Sequence, residues 1–136
     1  MKRSLLITFI ALTFAVGCQQ GVNPPHYTRA DSFDAGHITL SGQKGDDLRR
    51  QTAFQQERID RDQFGLLVVN IPLRSAVDHT LYLEYQYTFY DANGGVVEGP
   101  MGWTPVTLEA ASPGTIQFHS TQPNAADFHV NIRYQR

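Results

Sequence analysis

Apolar and polar residues alternate strictly from Thr80 to Tyr90. Leu81, Leu83, Tyr85, Tyr87 and Phe89 take every second position, and Tyr82, Glu84, Gln86, Thr88 and Tyr90 fill the gaps. A period of two over that length predicts a strand with one buried face. Asp91-Ala92-Asn93-Gly94-Gly95 then reads as a turn, because Asn and Gly accept positive φ, and Val96-Val97 opens the returning arm of a hairpin. The same alternation recurs at Phe128, Val130, Ile132 and Tyr134, at Ile116 and Phe118, and at Leu67, Val69, Ile71 and Leu73. Pro72 lacks a backbone donor, which puts the end of that last strand at an edge or a bulge. Trp103 to Leu108 and His37 to Leu40 are weaker strand candidates. From Asp46 to Gln63, Leu48, Phe54 and Ile59 make no helical stripe, so the stretch reads as a polar strand with a turn near Arg61-Asp62. Seven to eight short strands separated by turn signals predict an all-β, immunoglobulin-like β-sandwich over residues 34–136.

The first residues follow a different pattern. Lys2 and Arg3 precede an uncharged apolar run from Leu5 to Val16, shorter than the ~20 residues a bilayer-spanning helix needs. The run ends in Ala15-Val16-Gly17-Cys18, which resembles a bacterial lipobox. Residues 1–17 are therefore expected to be a lipoprotein signal peptide, with Cys18 as the lipid-attachment residue. The alternative is an ordinary secretory signal followed by an incidental cysteine. Residues 18–33, punctuated by Gly21, Asn23, Pro24 and Pro25, read as a flexible tether reaching roughly 20 Å. Two or three acyl chains on Cys18 would make a lasting anchor where one would not. Gln19 after the cysteine favours the outer membrane, with the domain facing the periplasm.

Composition narrows the function classes. Cys18 is the sole cysteine, which excludes an intrachain disulfide and a multi-cysteine zinc site. Net charge is −2 and becomes −4 once Lys2 and Arg3 leave with the signal peptide, so no basic field attracts nucleic acid. There is no Gly-rich phosphate loop, paired-His helix or Gly-x-Ser-x-Gly elbow. No cofactor and no catalytic residue are implied.

From Gly65 to Tyr134 the chain resembles the YcfL family of small bacterial lipoproteins. Leu83 to Gly94 corresponds to that family's core strand and turn, Trp103-Thr104-Pro105-Val106-Thr107-Leu108 to its Trp-x-Pro-x-x-Leu segment, and Pro123 to Phe128 to its closing segment. Gly95, and Ser75 near the family's strand-ending Asn, depart from the pattern. The resemblance implies an immunoglobulin-like lipoprotein domain of uncharacterised biochemical function.

Two constellations remain. Tyr85, Tyr87, Phe89 and Trp103 are candidates for a sugar-stacking platform, although the first three alternate along one strand and read as inward. Trp103, beside Gly99, Pro100 and Gly102, either plugs the end of the sandwich or stands out as a contact residue. His119 and His129 would face each other if their two strands paired directly, giving a solvated polar face or, at most, two zinc ligands of the four a structural site needs. These readings converge on a lipid-anchored envelope domain that binds a periplasmic protein partner without catalysis. The alternative is a carbohydrate- or peptidoglycan-binding sandwich, which requires coplanar exposed rings drawn from Tyr82, Tyr90 and Trp103.

Overall fold

The alternating segments assemble into two five-stranded sheets in the computed structural model, which describes residues 36–136 and the backbone of 28–29. The first sheet is organised around β5 (Leu67–Ser75), whose residues alternate buried and half-buried along all nine positions. β9 (Pro113–His119) pairs antiparallel with one side of β5. On the other side lie β3 (Thr52–Phe54) and β4 (Arg58–Arg61), and β1 (Thr28–Arg29) pairs with β3. Phe54 pairs with Leu73 and Arg58 with Asn70, so three residues of one strand oppose two of the other. This is a β-bulge, and the Pro72 nitrogen falls at it, while its carbonyl still accepts from the Gln55 N–H at 3.0 Å. The donor missing from Pro72 is thus accommodated inside the sheet rather than at the strand's end.

The second sheet is organised around β6 (Leu81–Tyr90). β10 (Asp127–Tyr134) pairs antiparallel with it over eight positions, and β2 (Ile38–Leu40) pairs parallel with β10. β7 (Val96–Glu98) and β8 (Thr104–Leu108) share the other side of β6, separated by a loop over residues 99–103. Asp91 organises the expected β6–β7 turn: its Oδ1 accepts from the N–H of Asn93 at 2.8 Å and of Gly95 at 2.9 Å. Gly94 supplies the positive φ, at 81°.

Between the sheets, Phe54, Phe89 and Phe128 are fully buried with the aliphatic residues of β5, β6, β9 and β10. Tyr85 and Tyr87 point inward as their alternation predicts; Tyr87 stacks on Phe118 with centroids 4.4 Å apart. Consecutive strands change sheet between β1 and β2, β2 and β3, β5 and β6, β8 and β9, and β9 and β10, as in an immunoglobulin-like sandwich.

Two expectations are corrected here. Residues 45–51 are helical: α1 (Gly45–Gln51) buries Leu48, whose carbonyl accepts the Thr52 hydroxyl at 2.7 Å. Only β4, exposed at all four positions, matches the expected polar strand, and the turn near Arg61-Asp62 follows it. A two-turn helix held by one apolar residue leaves no stripe for periodicity to find. The direct pairing of the His119 and His129 strands is also wrong. β9 belongs to the first sheet and β10 to the second, so His119 faces Val68 and His129 faces Thr88. The signal peptide, Cys18 and most of the tether lie outside the described residues, within which no helix is long and apolar enough to cross a membrane.

Candidate binding face

The outward residues of β6 and β10 form the polar face of the second sheet. Side chains alternate across a strand, so Glu84 and Arg133, opposite each other in register, project together from the side away from the core. The Arg133 Nε donates to Glu84 Oε1 at 2.6 Å, and both side chains are largely shielded from water, at 17% and 13% exposure. The Arg133 guanidinium carbon lies 3.6 Å from the centroid of the Trp103 ring, a cation–π contact. One guanidinium thus holds a carboxylate and an indole at once.

The 99–103 loop delivers that indole. Gly99 adopts φ 106°, and a side chain there would meet the Tyr87 carbonyl at 2.8 Å, so only glycine fits. The Met101 N–H donates to the Tyr87 carbonyl at 2.9 Å, and Gln86 Nε2 donates to the Met101 carbonyl at 2.7 Å. Trp103 is accordingly half-buried on the outside of the sandwich, not in the hydrophobic core. The proline-and-glycine context showed an irregular loop, but the partner Arg133, thirty positions further along, has no signature in sequence.

Beside this stack, two clefts of about 480 and 450 Å³ adjoin at the C-terminal end of β10. They share Lys44, Tyr134 and Gln135, and the second is bordered by Tyr82, a tyrosine 60% exposed. The Tyr134 hydroxyl donates to Gln51 Oε1 at 2.7 Å, tying α1 to the sheet. Burial, with the Asp47 carboxylate adding to it, raises the Tyr134 pKa, so this hydroxyl stays a donor. Tyr82, Tyr90 and Trp103 all face outward, yet no ring contact joins any two of them, and Arg133 occupies one face of the indole.

A second polar cluster closes the opposite margin of the sandwich. The bulge between β3 and β4 lets Glu57 reach across to His37, with Oε1 2.8 Å from Nδ1, while His37 Nε2 lies 3.2 Å from Asp127 Oδ1. The imidazole stacks on Phe128 at 4.6 Å. Glu57 Oε2 is buried with no hydrogen-bond partner. His129, its Nε2 2.9 Å from the Thr39 hydroxyl oxygen, has its pKa lowered by burial and by the neighbouring His37, which favours the neutral ring. Among the described residues, the side chains within hydrogen-bond reach of His37 are the carboxylates of Glu57 and Asp127. Among the described residues, no group of three or more His, Cys, Asp or Glu is placed to hold a metal ion.

Residues 42–134 match the family model described as "Protein of unknown function (DUF1425)". Among solved structures, the chain is similar to Campylobacter jejuni cj0090, with TM-score 0.60 and 16% identity, over 74% of this chain and 100% of that one. It is also similar to a DUF1425 family member from Shewanella sp. pv-4, with TM-score 0.56 and 20% identity, over 62% of this chain and 79% of that one. At those identities the likeness establishes the fold. No curated protein matches the sequence.

Proposed function

This chain belongs to the DUF1425 family, and on that footing we propose that it is a lipid-anchored envelope protein of the YcfL type. It acts by binding a periplasmic protein partner and performs no catalysis. The observation that carries this reading is the outer face of the second sheet, where Trp103 is held in place by Arg133 and Glu84; Arg133 also lines one cleft, which adjoins a second rimmed by exposed Tyr82. Aromatic and arginine side chains fixed on a rigid sheet suit recognition, because little conformational freedom is lost on contact. The polar margin supports the same reading, since His37 meets carboxylates rather than a nucleophile.

The membrane half of the proposal rests on Cys18 and its small-residue context. The anchor would keep the domain within a short tether's reach of the bilayer, and Gln19 after the cysteine favours attachment to the periplasmic leaflet of the outer membrane. Fractionation of cells followed by mass spectrometry of the amino-terminal peptide tests it. Wild-type protein should require detergent for release and carry acyl chains on Cys18, while Cys18→Ser should remain uncleaved and unacylated. Release of the wild type by salt alone, with an unmodified thiol, would overturn the lipoprotein reading.

A further inference from the structure

We propose that the edge of β4 turned away from β5 pairs with the same edge of a second copy of this chain, antiparallel and centred on Ile59. This goes beyond the proposed function and does not depend on the lipid. β5 occupies one side of β4, and no described strand pairs with the other. All four β4 residues are exposed, and among the described residues the side chains of Arg58, Ile59 and Asp60 have no hydrogen bond, ion pair or ring contact.

Backbone direction fixes which groups are available. The Asp62 N–H donates to the Leu66 carbonyl at 3.0 Å, so Asp60 and Arg58, at the same parity, turn their N–H and C=O toward β5. Ile59 turns its own pair outward. A symmetric antiparallel ladder on this edge must use those outward groups, which leaves few registers. Centring on Arg58 or on Asp60 sets like charges face to face, and centring on Arg61 sets Asp60 opposite Asp62. Centring on Ile59 brings the two isoleucines together and places Arg58 opposite Asp60 of the second copy, twice.

Burial favours the same register. Ile59 pairs with Val69, a fully buried residue of β5, and therefore lies on the core side of the sheet, yet it is 46% exposed. Contact with its counterpart would extend the core across the axis. Charges on an edge strand ordinarily discourage pairing. Here the order Arg-Ile-Asp makes those charges attractive in one register and repulsive in its neighbours, which selects the second copy over an arbitrary strand.

Disulfide trapping in the full chain, in its native membranes, tests the register. In the proposed ladder the two Ile59 Cα atoms lie about 5.5 Å apart, within disulfide reach, and the two Arg58 Cα atoms about 7–8 Å apart, beyond it. Ile59→Cys should give a linked dimer on oxidation, well above the background of the parent chain, whose one cysteine is Cys18. Arg58→Cys should give about tenfold less. Adding Arg58→Asp or Asp60→Arg to Ile59→Cys should cut the yield about tenfold, and co-expressing those two chains should restore it as a mixed dimer. Absence of the Ile59→Cys dimer would overturn the proposal, as would a yield indifferent to the charge reversals. A disulfide within one chain to Cys18, or an adduct with another protein, would also overturn it by assigning the edge to the tether or to a different partner.

Discussion

Phe118→Ala is expected to cost about 3–5 kcal/mol of folding stability, a large share of the ~5–15 kcal/mol that holds a domain of this size together. Phe118 is the point where β9 of the first sheet meets the second. Its ring stacks on Tyr87, and its centroid lies 5.7 Å from both Phe89 and Phe128 and 6.2 Å from Tyr85. It is 3% exposed, so truncation leaves a cavity bounded by four aromatic rings set in strands that cannot close over it. Urea denaturation followed by far-ultraviolet circular dichroism reads the loss as a lower midpoint. Phe64→Ala, at a residue 73% exposed, should leave the midpoint nearly unchanged. A Phe118→Ala loss below about 1 kcal/mol would mean that the two sheets are not joined through this ring.

Arg133→Ala should be the most damaging change on the outer face, at about 2–3 kcal/mol, below the range for a fully buried pair because both side chains retain some exposure. It removes the cation above Trp103 and leaves the Glu84 carboxylate shielded and without its partner. Most of the cost lies in that unpaired charge, so adding Glu84→Gln should recover about half of it. Trp103 is the chain's sole tryptophan and reports the rearrangement directly. Its emission should move to the red and become more accessible to a neutral quencher as the guanidinium leaves the ring. Unchanged emission together with unchanged stability would show that the stack is not formed.

The faces of the sandwich were legible in the chain, and its pairings only in part. Leu81 to Tyr90 and Phe128 to Tyr134 announce their buried sides by alternation, because one face of each strand meets the core and the other does not. Asp91 to Gly95 announces the hairpin through the local chemistry of its turn. Pairing of β9 with β5 is set by crossovers between the sheets, and nothing near His119 records it; proximity in sequence suggested β10 instead. The short helix at Leu48 left no stripe, since a single buried side chain anchors it.

The candidate face was legible in half. The glycine and proline residues around Trp103 marked an irregular loop without deciding whether the indole plugs the sandwich or stands out, and alternation alone placed Arg133 only as outward-facing. That Arg133 meets both Glu84 and Trp103 follows from the β6–β10 register and the path of the 99–103 loop. Glu57 was invisible for a related reason: its reach to His37 depends on a bulge one residue deep. Short-range patterns encode which side of a strand is wet, while a bulge or a crossover depends on the whole assembly.

Site-directed photo-crosslinking in intact cells tests the binding account most directly. A photoreactive residue replaces Tyr82 or Pro105 on the outer face of the second sheet, or Gln117 on the outer face of the first, all three exposed. The account predicts one discrete adduct with an envelope protein from Tyr82 and Pro105, none from Gln117, and its loss when Cys18→Ser removes the anchor. No discrete adduct from either second-sheet position, or the same adduct from Gln117, would contradict it.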